Sequence, residues 1–265
     1  MSVVRLLVAL LVTVLVCTMA FAEDLTARQI MERQKKLHEA SSEKASLVMI
    51  LVDRSGAKKK RVMRSFKKTM PDGLSRSLLL FTEPTDLDGT SILSVETEPS
   101  QVSQWIYLPA TKAMQRVTSN AKTDYFMGTD FTYEDMQADN LDNFTLNLAG
   151  SETLDDQDCW VIEVIPTEEK RKSSGYSKRI FHIRKDIIFT VKVDFFDRRG
   201  REIKTQTNHD LENIRGEMWA AKKTLVDNKH AQHKTLVGLA GLEVDVDLDD
   251  EIFSEGFVSS GRRPQ

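Results

Sequence analysis

The sequence predicts a mainly β protein of the α+β type, built on one large, curved antiparallel sheet. Three observations support this fold class. Short segments rich in β-branched and aromatic residues recur between residues 45 and 237, with turn signals such as Ser55-Gly56 between them. Apolar and polar side chains alternate in several of these segments, which is the pattern of a sheet with one dry face. A helical pattern is confined to residues 24–42.

The predicted helix over residues 24–42 begins with a capping box. Thr26 and Gln29 stand three residues apart, so each side chain can accept a hydrogen bond from the backbone N–H group of the other residue. An apolar stripe follows at helical spacing and consists of Leu25, Ile30, Met31 and Leu37. We therefore expect this helix to cover part of the apolar face of the sheet.

Twelve segments are predicted as strands, and the first two form a hairpin around Ser55-Gly56. Their boundaries are 45–54, 58–68, 75–82, 91–97, 103–108, 143–148, 159–166, 176–184, 187–196, 201–208, 217–226 and 231–237. A sheet of this many strands curls because each strand twists. The apolar face becomes concave, and a single helix covers it only in part, so we expect a cavity there.

Two of the predicted strands differ in how they are covered. Alternate positions of the strand 187–196 are expected to share the dry face: Ile187, Phe189, Val191, Val193 and Phe195. Residues 47–52 are apolar at every position, so that strand is expected to be covered on both faces.

The first 22 residues have the three parts of a secretory signal peptide. Arg5 provides a positive n-region, residues 6–16 an apolar h-region, and Ala20-Phe21-Ala22 a small-x-small cleavage site. A retained membrane anchor is the alternative, but the apolar run is short for a span of about 20 residues. We therefore expect cleavage near Ala22 and a single exported domain over residues 23–265.

Charge and cysteine content narrow the class of protein further. Removing residues 1–22 takes away Arg5 and moves the formal net charge from −3 to −4, whereas a nucleic-acid-binding domain is usually basic. Cys159 is then the only cysteine, so no intrachain disulfide can form and the fold must rest on a hydrophobic core. Cys159 precedes Trp160-Val161-Ile162 and is expected in that core.

The sequence offers little for catalysis. His230 and His233 have a spacing that suits a metal ion on a helix, but residues three apart in a strand point to opposite faces. A hydrolase that uses these two histidines is the remaining enzyme hypothesis. Residues 245–251 are rich in Asp but lack the glycine of an EF-hand loop, and Asp250 is expected to cap a short helix. We predict no catalytic residue, no metal and no cofactor.

Two clusters of basic residues have two interpretations that the sequence leaves open. They are Lys58-Lys59-Lys60-Arg61 with Arg64, Lys67 and Lys68, and Lys170-Arg171-Lys172. One interpretation is a solvated hairpin edge, where lysines also prevent edge-to-edge pairing. The other is transient docking to an anionic membrane surface or to a partner protein.

Aromatic residues form the remaining constellation. Residues 126–136, FMGTDFTYEDM, combine three aromatic rings with three carboxylates, and the segment SQWIYLPA places Trp105 and Tyr107 on one face of a strand. Such residues belong either to an ordinary core or to the lining of a hydrophobic binding cavity.

Four motifs, in this order, resemble the outer-membrane lipoprotein-sorting protein family, the LolA-like group that is often found with large lipid exporters. They are Pro84-x-Asp86-x-x-Gly89-Thr90, then Trp105-Ile106-Tyr107-Leu108-Pro109-Ala110, then Arg116, then Phe126-Met127-Gly128-Thr129-Asp130-Phe131-x-Tyr133-Glu134-Asp135. The resemblance extends over nearly the whole chain after residue 22.

The resemblance implies an unclosed β-barrel whose concave face is covered by the N-terminal helix and short helices. It also implies a periplasmic carrier without catalytic residues, which holds a lipid or lipoprotein acyl chain. Its partners would be an inner-membrane lipid exporter and an outer-membrane acceptor. A periplasmic sensor that binds lipid or peptide on the same scaffold is the alternative.

Site residues follow as expectations. The cavity is expected to be lined by Met49, Leu51, Leu80, Trp105, Tyr107, Phe126, Phe131, Tyr133, Phe189 and Val191. The structural motif of a lid is expected at Gly128, Thr129, Asp130, Asp135 and Arg116. In this hypothesis Gly128 permits a bend, Asp130 or Thr129 caps a helical turn, and the carboxylates pair with Arg116 or Arg64.

Overall fold

Thirteen strands form one antiparallel sheet in the computed structural model, which describes residues 25–98, 101–118, 120–137 and 140–264. The predicted signal peptide, residues 1–22, lies outside the described residues. In chain order the strands are β1 Ser42–Val52, β2 Lys58–Thr69, β3 Ser75–Glu83, β4 Ser91–Glu98, β5 Gln101–Leu108, β6 Ala113–Arg116, β7 Phe144–Leu154, β8 Gln157–Pro166, β9 Tyr176–Arg184, β10 Phe189–Asp197, β11 Glu202–Arg215, β12 Met218–Asn228 and β13 His233–Val244. The predicted fold class is confirmed, and β6 is the one strand that the sequence analysis missed.

The sheet is two meanders joined by a single long-range pairing. Its order is β6-β5-β4-β3-β2-β1-β13-β12-β11-β10-β9-β8-β7. Every pair of neighbouring strands except β1 and β13 is therefore also consecutive in the chain. That pairing runs from Glu43 opposite Val244 to Val52 opposite Lys234. The strands β6 and β7 are the two edges, and the sheet is therefore not closed into a barrel.

Short helices complete the structure. The helix α1 spans Ala27–Leu37, and its predicted capping box is confirmed, since Thr26 Oγ1 accepts from Gln29 N and Gln29 Oε1 from Thr26 N. The other helices are α2 Glu168–Arg171 and α3 Glu255–Ser259, with 3-10 turns at Asn120–Thr123, Phe126–Gly128, Leu141–Asn143 and Asp250–Phe253. Asp249, rather than Asp250, caps the last 3-10 turn. No helix in the described part of the chain has the length and apolarity to cross a membrane.

His38 holds the end of α1 against the sheet. Its Nδ1 accepts from the backbone N–H of Trp219 at 3.0 Å, so Nε2 carries the proton and donates to the Ile188 carbonyl at 3.1 Å. Burial lowers the pKa of His38, which favours this neutral tautomer. His38 thereby fixes the C-terminal end of α1 between the turn before β10 and the start of β12.

The two faces of the sheet are covered by different segments. On the inner face, α1 packs over β7, β8 and β9, and residues 125–137, called the inner loop below, pack over β1 to β4 and β13. Lys67 of β2 and Phe181 of β9, which are far apart in the strand order, border the same depression on this face, so this face is the concave one. The outer face of β2 to β6 is covered by residues 246–258. The core is thus built in layers on both sides of one sheet.

The structure differs in detail from two predictions about the burial of strands. In β1, Met49 and Leu51 are buried on the inner face, but Val48, Ile50 and Val52 are only half-buried, so cover on both faces is incomplete. In β10 the register shifts between Thr190 and Lys192, which inserts Val191 as an extra residue and interrupts the alternation.

A buried histidine bridges two carboxylates on the outer face. His182 on β9 contacts Glu152 on β7 through Nδ1 and Asp194 on β10 through Nε2, the latter at 3.0 Å. Lys192 and Thr205 also bond to Asp194, at 2.8 Å each. Burial raises the pKa of Asp194, but these hydrogen bonds outweigh it and lower the pKa from 3.8 to about 2.

We expect Asp194→Asn to lower the free energy of unfolding at pH 7 by about 1–3 kcal/mol, because it removes hydrogen bonds to a charged group. A carboxyl with a lowered folded-state pKa stabilises the protein above pH 3.8 and loses that effect as the pH falls through about 2. The difference between wild type and variant should therefore shrink between pH 4 and pH 2 in denaturant titrations. Asp142→Asn is the control, since it removes an exposed pair with Arg28. A difference that stays constant down to pH 2 would contradict the assignment.

Candidate functional site

The inner loop is a compact turn that is held by hydrogen bonds between its own residues. Phe126 N donates to the Phe131 carbonyl at 2.7 Å, and Thr129 Oγ1 donates to the Phe126 carbonyl at 2.8 Å. Met127 and Gly128 both have positive φ, of 45° and 74°. The predicted bend at Gly128 therefore lies where glycine is the least strained residue.

Asp130 is the first anchor of the inner loop on the sheet. It is 2% exposed, and its Oδ2 accepts from His233 Nδ1 and from Thr235 Oγ1, at 2.7 Å each. The backbone N–H of Asp130 also donates to Thr235 Oγ1, at 3.0 Å. Both partners lie on β13, so the carboxylate fixes the turn over the centre of the sheet.

Lys204 on β11 is the second anchor and is 1% exposed. Its Nζ donates to Asp135 Oδ2 at 2.5 Å and to the Asp130 carbonyl at 2.7 Å. The ammonium group also lies 4.8 to 5.7 Å from three ring centroids, those of Tyr125, Tyr176 and Phe195. A buried ammonium is tolerated only with such partners, so Lys204 and the inner loop depend on each other.

Tyr176 completes this network from β9. Its hydroxyl donates to Asp135 Oδ1 at 2.8 Å. Burial, and then the Asp135 carboxylate, raise the pKa of Tyr176 well above its usual value, so the hydroxyl remains a donor. Asp135 Oδ2 also accepts from Thr132 N at 2.7 Å.

Glu134 is the third anchor. Its Oε2 accepts from the backbone N–H of Gly175 at 2.8 Å, and its Oε1 lies 3.3 Å from Lys170 Nζ. The three carboxylates of the inner loop therefore bind groups of the sheet and of its connections. This arrangement fixes the loop, and each carboxylate is occupied by a structural partner.

The predicted pairing of these carboxylates with Arg116 or Arg64 is wrong. Arg116 donates to Ser103 Oγ at 2.8 Å and lies over the ring of Trp105. Arg64 donates to the Pro264 carbonyl at 2.7 Å on the outer face. Neither arginine is on the inner face, where the loop lies.

Five of the predicted lining residues pack together where the inner loop meets the sheet. They are Met49, Leu51, Phe126, Phe131 and Tyr133, which pack with Met63, Phe81 and Ile92. The ring of Phe126 lies 5.9 Å from that of Phe81 and 5.5 Å from that of Tyr133. The loop thus fills this part of the concave face with its own side chains.

An open depression lies beside the filled region, beneath α1, and has a volume of about 380 Å³. Its apolar lining consists of Met31, Leu141, Phe181 and Phe189, and its polar lining of Gln34, Lys35, His38, Glu39, Lys67, Thr190 and Asn208. The volume is in the lower part of the range for small-molecule sites, about 300–1,000 Å³. Phe189 is the one predicted lining residue found here.

A second, more polar depression of about 240 Å³ adjoins the first at Lys67. It is lined by Ser75, Ser77, Ser94, Glu96, Val102, Asp135, Met136 and Gln137. The concave face therefore changes from apolar beneath α1 to hydroxyl-rich beside the inner loop. Sequence analysis missed this polar wall, although alternate serines in β3 were its signal.

Four predicted lining residues lie elsewhere. Trp105 and Tyr107 are on the outer face, where they pack beneath residues 246–258. Leu80 alternates with the inner-face residues Leu79 and Phe81 and points to the outer face. Val191 is the bulged residue of β10 and borders a separate outer depression with Arg184 and Trp219.

The histidine pair has no shared function in the structure. His233 binds Asp130, whereas His230 is exposed in the turn before β13. Within the described ranges, no three His, Cys, Asp or Glu side chains are grouped so that they could hold a metal ion.

Comparison with known proteins gives matches of two kinds. A family model described as uncharacterized-protein-like matches residues 73–260. No functionally curated protein matches the chain. An outer membrane lipoprotein-sorting protein domain from Vibrio parahaemolyticus is 28% identical, with a TM-score of 0.81, and the match covers 87% of this chain and 97% of that domain.

Two further solved structures share the fold. A DUF1329 family protein from Desulfovibrio piger is 27% identical, with a TM-score of 0.81 over 86% of this chain and 96% of its own. A LolA superfamily protein from Nitrosomonas europaea is 19% identical, with a TM-score of 0.70 over 88% and 99%, and shows the fold alone.

Lys204→Met should lower the free energy of unfolding by about 3–5 kcal/mol, because it leaves the Asp135 carboxylate buried without its partner. It should also increase the rate of backbone amide hydrogen exchange in residues 125–137. The double variant Lys204→Met with Asp135→Asn should recover part of this loss. Lys170→Met, which removes the less buried pair with Glu134, is the control and should cost less. Unchanged exchange in the inner loop of the Lys204 variant would contradict the anchoring role.

Proposed function

We propose that this chain is a periplasmic carrier for a lipid or lipoprotein acyl chain, because it is similar over 87% of its length to an outer membrane lipoprotein-sorting protein domain. In this proposal residues 23–265 act as a single domain after cleavage near Ala22. The carrier receives its cargo from an inner-membrane lipid exporter and passes it to an outer-membrane acceptor. It needs no catalytic residue, metal or cofactor.

The observation that supports this proposal is the apolar depression beneath α1. Met31 on the helix and Phe181 and Phe189 on the sheet provide apolar surface that the inner loop does not fill. Each methylene that moves from water into such a site contributes about 0.8 kcal/mol. A long acyl chain therefore binds without a covalent bond or a specific polar contact.

Release of the cargo follows from the same interaction. Hydrophobic binding is not directional, so an acyl chain can move to an acceptor with a larger apolar surface. The chain contains no Gly-rich phosphate-binding loop, so any energy input belongs to the partner transporter. The polar depression at Lys67 adjoins the apolar one and would receive the polar end of the cargo.

A direct test is titration of the purified protein with a fluorescent fatty-acid analogue, together with mass spectrometry of organic extracts. We expect saturable binding of the analogue and lipid that co-purifies with the protein. A protein that binds no analogue and yields no lipid would contradict the carrier proposal.

Phe189→Asp should weaken binding of the analogue at least about tenfold, because it places a carboxylate in the apolar lining of the depression. Phe189→Ala should weaken it less, since it removes apolar area without adding charge. Leu148→Asp is the matched control, because Leu148 is an exposed residue of β7. Thermal unfolding of each variant verifies the fold, and equal affinity of the wild type and both Phe189 variants would exclude this depression as the site.

A further inference from the structure

Four neighbouring connections at one end of the sheet are rich in cations. They are residues 53–57, 229–232, 198–201 and 167–175, which follow β1, β12, β10 and β8 and lie side by side in the strand order. Together they contain eight Lys or Arg residues and three Asp or Glu residues, and the connections 84–90 and 109–112 at the same end add Asp86, Asp88 and Lys112. We call this end, with the adjoining Lys58, Lys59 and Lys60, the basic end.

The opposite end of the sheet has the reverse charge. Its connections are residues 70–74, 155–156, 185–188 and 216–217, and residues 245–251 follow β13 at the same end. These segments contain ten Asp or Glu residues and one Lys. Because the whole chain is slightly acidic, the concentration of cations at one end gives the molecule a charge polarity along its strands.

Several cations of the basic end are not neutralised within the molecule. Among the described residues, no ion pair forms at five of its exposed side chains: Arg54, Lys58, Lys59, Arg171 and Arg199. Others at this end do have partners, as in the pairs Lys60–Glu83 and Arg201–Asp197. The unpaired cations remain available to a partner outside the chain.

A depression of about 330 Å³ opens at the same end, between the inner loop and the sheet. Arg198 and Arg199 border it, together with Tyr125, Tyr176 and Gly175. Only the Nε of Arg198 is engaged, by the Ser174 carbonyl at 2.8 Å, and no side-chain partner appears for Arg199 among the described residues. Two guanidinium groups can therefore bind an anionic group there.

The acids of this depression do not cancel that charge. Glu134 is engaged by Gly175 N and Lys170, and Asp197 by Arg201 at 2.6 Å. Tyr125, whose side chain borders the opening, is 43% exposed, and its hydroxyl accepts from Asn228 Nδ2. An exposed tyrosine beside arginines that form no ion pair suits a surface that meets lipid headgroups.

We propose that the basic end docks on an anionic lipid surface, and that Arg198 and Arg199 bind one phosphate headgroup in the depression beside Tyr125. Guanidinium groups suit this role because they donate two parallel hydrogen bonds to phosphate oxygens. The exposed cations of the other connections add electrostatic attraction that does not require one binding geometry. Such attraction suits a fluid layer of lipid headgroups better than a single acidic site on a protein.

Docking in this way leaves the apolar depression open. Phe189 is the first residue of β10 and Lys67 is near the end of β2, so both lie toward the acidic end. The apolar depression therefore lies toward the end of the sheet that is away from the docked membrane. The basic end and the apolar depression are separate surfaces and can be tested separately.

The experiment is co-sedimentation of the purified protein with vesicles of phosphatidylcholine alone or with phosphatidylglycerol added. We expect binding only to vesicles that contain phosphatidylglycerol, and weaker binding as the salt concentration rises. Equal binding to both kinds of vesicle, or no binding to either, would overturn the proposal. Retention on a polyaspartate resin without binding to vesicles would also overturn it, and would indicate an acidic protein partner.

The variants compare equal losses of charge at the two ends. Lys58→Gln, Arg171→Gln and Arg199→Gln together should weaken binding to the anionic vesicles at least about twentyfold, since each cation near such a surface contributes about fivefold. Arg33→Gln, Lys36→Gln and Lys185→Gln together remove three cations from α1 and the acidic end, and should change binding less than about twofold. Equal losses in the two triple variants would show that only net charge matters and would refute a docking end.

Titration with the fatty-acid analogue separates this inference from the carrier proposal. Both triple variants should keep the wild-type affinity for the analogue, because none of the six residues lines the apolar depression. Loss of vesicle binding with intact analogue binding supports a separate docking end. Loss of both in the first triple variant, with its thermal unfolding unchanged, would show that the two surfaces are not separate.

Discussion

An open sheet of thirteen strands leaves two apolar faces that the chain itself must cover, and this requirement organises the rest of the molecule. On the concave face, α1 and the inner loop provide the cover, and residues 246–258 cover part of the convex face. Since β6 and β7 do not pair with each other, curvature alone cannot enclose the interior. The cover is incomplete beneath α1, where the apolar depression remains.

Polar contacts decide where this cover lies. Hydrophobic packing holds the inner loop on the sheet but does not select its position, because apolar contacts are not directional. The contacts of Asp130 with His233 and of Asp135 with Lys204 are directional and buried, so displacement of the loop would leave charged groups without partners. These carboxylates resemble an active site in the sequence, but in the fold they fix one segment to another.

Charged side chains at the surface and in the interior differ in whether they have partners within the chain. Buried cations such as Lys204 have partners within the chain, whereas five exposed cations of the basic end form no ion pair among the described residues. The meander places alternate connections at the same end, so four loops that are distant in the chain become neighbours. An interaction surface can thus arise from connections that look unrelated in the sequence.

The sequence by itself determined the fold class, the capping box of α1 and twelve of the thirteen strands, because these depend on local periodicity and turn chemistry. Alternation also showed that Trp105 and Tyr107 share a face. Which face is concave was decided only by the tertiary structure, since a period of two is the same on both sides of a sheet. The partners of Asp130 and Asp135 are also set by the tertiary structure, because β11 and β13 approach the inner loop only when the two meanders join.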